Sequence, residues 1–329
     1  MKICLFDPGI ENHDGSYSSN LGDLIIQEAV NRELNEIFEN QEIIRFSTHS
    51  FLQPEHLKVI RTCPFIIVGG TNLLSSNMDQ YRQWRLSLRH ALRIQRAILF
   101  GVGWWQYQED PNLYTKFFLK TVLSRKLNHS VRDRYTLKKL QAIGINNAIN
   151  TGCPTMWPLA GIRSEEFPRE KSSNVLVMLT DYKKKPELDR RLLELLRAKY
   201  TTVYVWPQGR GDKQYALDLG VSVTLLEHSL SSLDQFIHSG TPFDYIGTRL
   251  HGGVRCLCAR KRSLILEVDN RAKEIAQDTD LPTVERDNLD YISQWIDGSS
   301  IPQIKLNMEA IQQWKNQFLN VISKAINVA

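Results

Sequence analysis

The stretch Asp244-Tyr245-Ile246-Gly247-Thr248-Arg249-Leu250-His251-Gly252-Gly253-Val254-Arg255-Cys256-Leu257-Cys258-Ala259-Arg260 decides the fold. Asp244–Gly247 reads as a short strand, and Leu250–Arg260 as an amphipathic helix that starts almost at once. A strand that feeds straight into a helix is half of a parallel crossover. The same unit recurs on both sides. Upstream, strands are expected at Asn174–Leu179, Thr201–Trp206 and Val221–Leu225, with helices at Pro186–Tyr200, Asp212–Leu219 and Leu233–Ser239. Downstream come strand Ser263–Val268 and helix Arg271–Asp278.

The N-terminal half repeats the pattern. Strands are expected at Ile3–Phe6, Glu42–Phe46, Phe65–Val68, Ala97–Val102 and Asn128–Val131. Helices are expected at Asp23–Phe38, Pro54–Thr62, Met78–Ile94, Pro111–Lys126 and Asp133–Ile143. Continuous apolar strands between helices predict parallel sheets covered on both faces. Pro158, Gly161 and Pro168 punctuate a polar stretch, and Gly161–Ser173 reads as a linker. The fold class expected is therefore α/β, with two Rossmann-like doubly wound domains facing across a cleft. Their bounds are 1–162 and 172–303. A closing segment, 304–329, carries a helix from about Ile304 to Ile326 that packs back on the first half.

Composition agrees. The chain has 329 residues, 42% hydrophobic and 23% charged, with net charge +5. These values exclude intrinsic disorder, a collagen-like chain and a disulfide scaffold. The mild positive balance does not call for nucleic acid. The N-terminal apolar run stops at Asp7, too short for a signal core, and no run approaches the ~18 apolar residues of a membrane span. A cytoplasmic chain is expected. Its five cysteines include no Cys-x-x-Cys pair and read as small buried hydrophobes.

Ligands of such folds bind beyond the C-terminal ends of strands. After the first strand, a long polar loop carrying His13, Asp14 and Tyr17 leads to Asn20-Leu21-Gly22-Asp23. Asn20 suits a helix cap, and Asp23 either favours the helix dipole or meets a ligand hydroxyl. Gly69-Gly70-Thr71-Asn72 follows the third strand and is neither a Walker loop nor a dinucleotide fingerprint. Trp104 and Trp105 follow the fourth; they suit stacking on a sugar, with core packing as the rival reading. Arg132, at a strand–helix junction, either aims its fork at a phosphate or carboxylate or pairs with Asp133.

Gly247–Gly253 is the sharpest site. Thr248 is placed to cap, the helix N-terminus favours an anion, and Arg249 adds fixed charge. His251 can give or take a proton near neutral pH. Gly252 and Gly253, each costing ~1 kcal/mol in a helix, imply that something closely approaches the backbone. Lys273, past the next strand, is a candidate third cation.

These pieces together resemble the polysaccharide pyruvyl transferase family. The resemblance rests on Asn20-Leu21-Gly22-Asp23, Gly69-Gly70, Leu99–Gly103, Ser130-Val131-Arg132-Asp133, Gly152-Cys153-Pro154, Thr248–His251 and the Asp269…Lys273 segment, in order from about Lys2 to Leu281. It implies a glycosyltransferase-B-like fold, with an acceptor-side first half and a donor-binding second half. It implies transfer of pyruvate from phosphoenolpyruvate to two hydroxyls of a sugar in a polysaccharide or its precursor, giving a cyclic ketal and phosphate. Phosphoenolpyruvate is a substrate; no cofactor or metal is implied.

By the same resemblance, Arg132, Arg249, Leu250 and Lys273 contact phosphoenolpyruvate. His251 is the general acid, and Asp23 is its catalytic companion at the edge of the site; adjacent arginines oppose a charge on His251 and the bound trianion favours it, so His251 is expected to charge only with substrate bound. Asn20, Gly70, Thr71, Trp104 and Trp105 lie toward the acceptor. Gly69-Gly70-Thr71 departs from the family's three-glycine turn and would narrow that corner.

Arg82, Arg85, Arg89, Arg93 and Arg96 fall on one face if 78–94 is a helix. That face is either solvated or drawn to anionic lipid or a lipid-linked glycan, with Lys183-Lys184-Lys185 assisting and the protein then at the inner face of the plasma membrane. The alternative function is a nucleotide-sugar-dependent glycosyltransferase of the same outline.

Overall fold

The structure, a computed structural model, describes residues 1–326, with side chains through residue 319. The chain divides into two compact units. One comprises Met1–Ser18, Ile26–Trp157 and the chain from Leu306; the other comprises Ser19–Ile25 and Pro158–Lys305.

In the first unit the order is β1 (Lys2–Asp7), α1 (Leu21–Ile37), β2 (Glu42–Ser47), α2 (Pro54–Thr62), β3 (Phe65–Gly69), α3 (Leu88–Ile94), β4 (Ala97–Phe100), α4 (Leu113–Val122), β5 (His129–Val131), α5 (Arg134–Ala142) and β6 (Ala148–Asn150). β2-β1-β3-β4 form a parallel sheet, and β5-β6 a parallel pair. Period-two alternation sorts each strand's side chains. Cys4 and Phe6 face α2, α3, α4 and α5; Ile3 and Leu5 face α1.

The second unit runs β7 (Asn174–Met178), α6 (Pro186–Lys199), β8 (Thr202–Val205), α7 (Asp212–Asp218), β9 (Thr224–Leu225), α8 (Leu230–His238), β10 (Phe243–Gly247), α9 (Leu250–Cys258), β11 (Ser263–Glu267), α10 (Asn270–Thr279), β12 (Thr283–Glu285) and α11 (Leu289–Asp297). Its parallel sheet has the order β12-β11-β10-β7-β8-β9. The reversal of strand order beside β7 marks where a ligand is expected.

α12 (Met308–Ile326) returns to the first unit. Ile311, Trp314 and Phe318, at helical spacing, join the Ile3 and Leu5 face, and Trp314 stacks on Phe100 at 4.3 Å. Residues 327–329 of the expected 304–329 segment lie outside the described residues. Among the described residues, no helix is long and apolar enough to cross a membrane.

Several expectations are corrected. The unit boundary falls between Trp157 and Pro158, and the stretch 161–173 expected as a linker belongs to the second unit, where Phe167 is buried, Arg260 Nε donates to Glu166 (2.8 Å) and the Ser172 N–H donates to Asp244 (3.3 Å). The helix expected over 78–94 begins only at Leu88. Thr115 Oγ1 accepts the Met78 N–H (2.8 Å), Tyr81 O accepts from Ser75 Oγ (2.9 Å), and Ser87 with His90 forms the capping box that starts α3. The arginine stripe is dissolved with it. Arg82 donates to Met78 O (2.7 Å), Arg96 to Cys63 O (2.9 Å), and only Arg89 and Arg93 ride on α3. The strand expected over 221–225 is two residues long, Thr224–Leu225.

Candidate active site

β10 ends at Gly247, in register with Met178 at the end of β7. Thr248 does not cap α9. Its N–H and its hydroxyl both donate to Met178 O (2.8 and 3.2 Å), so the chain stays extended one residue further. Arg249 is the N-cap instead, and its own side chain does not cap the first turn. The N-terminal end of a helix is a place that favours an anion. Gly252 and Gly253 are explained by packing. A Cβ at Gly252 would stand 2.1 Å from Met178 Sδ, and one at Gly253 2.7 Å from Ile265 and Tyr245. What approaches the backbone is the sheet's own side chains. His251, the second residue of α9, is buried there.

The Arg249 side chain is also buried, and two carboxylates hold it. Nε donates to Asp212 Oδ2 (2.9 Å) and Nη2 to Asp212 Oδ1 and Asp181 Oδ1 (3.2 Å). Asp212 opens α7 and accepts three backbone N–H groups, from Gln208, Gly209 and Asp181 (3.1, 2.7 and 3.0 Å). Burial raises the Asp212 carboxyl above its ordinary range, against the pull of Arg249 and these hydrogen bonds. Glycine at 209 leaves room for this contact, since a Cβ there would lie 2.6 Å from Arg249 Nη2.

The Arg249 guanidinium stands 5.1 Å from the centre of the Tyr182 ring. Arg271 Nη2 donates to the Tyr182 hydroxyl, so a second arginine joins the cluster. Asp269 caps α10 and grips Arg271 (2.6 and 2.9 Å). Burial alone would raise the Asp269 carboxyl, but the Arg271 charge and hydrogen bonds outweigh it and hold it down to about 2. Lys273 turns elsewhere, to Glu285 (3.3 Å) at an exposed position; the cation beside Tyr182 is Arg271. A neighbouring cleft of about 630 Å³ is lined in part by Lys183, Lys184, Lys185 and Asp269. Lys183 Nζ donates into it at Val268 O (2.9 Å).

Asn20 and Asp23 belong to this unit, not to the first as expected. Asn20 Oδ1 caps α1 by accepting the Gly22 N–H (3.2 Å) and also accepts from Gln208 Nε2 (3.2 Å). Asn20 Nδ2 donates to Asp23 (3.2 Å), and Leu21 N–H to Gln208 O (3.0 Å). Gln208 thus joins the start of α1 to the Asp212 turn. Reading the sequence missed Asp181, Tyr182, Gln208, Asp212 and Arg271. The signal for the first four was position alone, just past β7 and β8.

The remaining candidates lie in the first unit. Arg132 is buried, with Nη2 donating to Asn72 Oδ1 (2.7 Å) and pairing with Asp133 (3.3 Å). Trp104 is fully buried; its backbone N–H donates to Thr136 Oγ1 (2.8 Å), its indole Nε1–H donates to Gln108 Oε1 (3.1 Å) and its ring offers no open face, so core packing is the correct reading. Trp105 is partly exposed, with one face stacked on Tyr81 at 3.9 Å. Gly70 is pressed by the Gly101 carbonyl, 2.5 Å from where a Cβ would stand, while Thr71 accepts the Gly103 N–H through its backbone (2.9 Å). His13 is a tie, its Nδ1 accepting the Ser47 N–H (3.1 Å). Cys4, Cys63, Cys153 and Cys256 are buried and Cys258 partly so, all as free thiols.

A family model described as polysaccharide pyruvyl transferase matches residues 20–270. No curated protein matches significantly. Among solved structures, S. aureus MnaA in a co-structure with UDP matches with TM-score 0.52 at 9% identity, covering 100% of this chain and 97% of that one. The wall teichoic acid polymerase TagF matches with TM-score 0.47 at 12% identity, covering 99% and 89%. The MnaA likeness shows the fold, of the glycosyltransferase-B-like α/β class.

Proposed function

The chain belongs to the polysaccharide pyruvyl transferase family, and from that premise we propose that it moves pyruvate from phosphoenolpyruvate onto two hydroxyls of a sugar, forming a cyclic ketal and releasing phosphate. The observation that carries this reading is the start of α9 directly after β10, with a buried Arg249 at its N-cap and a buried His251 two residues on. A small polyanion is the ligand that such a helix end and a buried guanidinium favour.

The steps follow from residue chemistry. Arg249 and the first-turn N–H groups, that of Leu250 included, hold the donor's anionic groups and stabilise charge as it redistributes. His251 delivers a proton to the methylene carbon, which becomes the methyl group. The neighbouring carbon, made electron-poor, is attacked by one sugar hydroxyl. A second hydroxyl then forms the other C–O bond and the phosphate oxygen leaves. Of the two hydroxyl protons, one replaces the proton that His251 gave and the other leaves with phosphate. Asp23, fixed by Asn20, is the carboxylate best suited to receive a hydroxyl proton.

Incubation with phosphoenolpyruvate and a panel of glycans tests the reading. The expected result is phosphate release with a matching mass gain on one glycan. Sugar transfer from a nucleotide-sugar, with no reaction of phosphoenolpyruvate, overturns it in favour of a glycosyltransferase.

A further inference from the structure

Arg249 already carries carboxylates where an incoming anion would bind, and the two are not alike. Asp212 is 1% exposed at its side chain and accepts three backbone N–H groups, so moving it would orphan them. Asp181 is 31% exposed at its side chain, and its carboxylate accepts from Arg249 Nη2 (3.2 Å). Glycine surrounds this contact. A Cβ at Gly211 would lie 2.2 Å from Asp181 Oδ2. One carboxylate is therefore built in, and the other rests on the edge of the guanidinium.

We propose that Asp181 is a placeholder anion on Arg249, which an arriving phosphate or carboxylate group must displace, and that this displacement sets the site's preference for multiply charged ligands. The inference rests on α9 and Arg249 as the anion seat of the proposed reaction. A carboxylate tethered beside its partner acts at high effective concentration. A monoanion such as nitrate, with one weak contact to offer, competes poorly. A ligand that reaches the helix N–H groups and the arginine together can win. Displacement also leaves Arg249 properly aimed, because Asp212 keeps its two-point grip.

The test measures binding of inorganic phosphate, nitrate and phosphoenolpyruvate by calorimetry to the full chain, to Asp181→Asn and Asp181→Ser, and to Glu285→Gln. The last is a control that also removes one negative charge and frees one cation, Lys273. Both Asp181 variants are expected to bind phosphate and nitrate about tenfold more tightly, with reduced preference for phosphoenolpyruvate over nitrate. Glu285→Gln is expected to stay within about twofold of the parent. Unchanged or weaker anion binding in folded Asp181 variants overturns the proposal, as does an equal gain in Glu285→Gln. Anion binding that tightens as expected, in a chain that forms no ketal, supports the placeholder and refutes the proposed reaction instead.

Discussion

Each unit buries an arginine at the junction of a strand and a helix, and the two junctions are finished differently. Arg132 precedes Asp133, which caps α5 by accepting the Thr136 N–H (2.7 Å) and also pairs with Arg132. Asn72 takes a further donor, and the guanidinium lies so close over Gly103 that a Cβ there would stand 2.2 Å away. Helix end, carboxylate and guanidinium close on one another. Arg249 is itself the N-cap of α9, and its carboxylates come from loops after β7 and β8. The Arg249 side chain turns to those carboxylates and does not cap α9. A carboxylate next in sequence completes the first junction; carboxylates from distant loops hold the second arginine, 37 and 68 residues away.

The hardest blow to this contrast comes from the arginines themselves. Arg249→Ala is expected to abolish phosphoenolpyruvate binding and to cost about 3–5 kcal/mol, because Asp212 is left buried and unpaired. Arg132→Ala is expected to cost about as much stability while the folded fraction still binds donor. Calorimetry paired with denaturant melts reads both, and donor binding lost with Arg132 but kept without Arg249 breaks the comparison. His251→Ala is expected to retain donor binding and lower ketal formation about 10²–10⁴-fold; unchanged turnover removes His251 from the chemistry.

Acid should separate the units next. In the first, His129 Nδ1 accepts the Leu99 N–H (3.2 Å) and its Nε2 donates to Ser124 O (2.9 Å), so the ring is neutral. Burial pushes it from 6.5 down to about 4. The unfolded chain therefore binds this proton first, and stability falls as pH drops from 6.5 towards 4, by about 3 kcal/mol in all. In the second unit the depressed Asp269 works the other way. Its contribution is present above the ordinary carboxylate range and is lost only as pH falls towards about 2. Hydrogen exchange near pH 4.5 is expected to show the first unit opening before the second, and the reverse order contradicts it. The smallest effect sharpens the role of caps. Ser229 caps α8 by accepting the Ser232 N–H (3.1 Å). Ser229→Ala should cost about 1 kcal/mol in thermal melts without touching anion affinity.

The strands β1, β3, β7 and β11 were legible because strands buried on both faces are near-continuous apolar runs; β10, interrupted by the buried Asp244, was legible from its junction with α9. The three-residue β6 and β12 fall below any periodic signal. Residues 78–87 misled because Met78, Trp84 and Leu86 are buried from a coil anchored to distant groups, and buried apolar spacing alone does not distinguish that from a helix. At the site, Arg249 and His251 were readable from their place between a strand and a helix. Asp181 and Asp212 lie 68 and 37 residues from the arginine they hold, and only the parallel order of β7, β8 and β10 brings them together. Trp104 and Trp105 are neighbours with opposite fates, because in an extended segment adjacent side chains point to opposite sides.

The return of α12 has a consequence for biosynthesis. Trp314 and Phe318 close a wall of the layer that β1, β3 and β4 begin. A ribosome exposes those strands early, yet the residues that seal them emerge only after the entire second unit has been translated. The unit made first is completed last, so its apolar face stays open for the whole time that the second unit is being made.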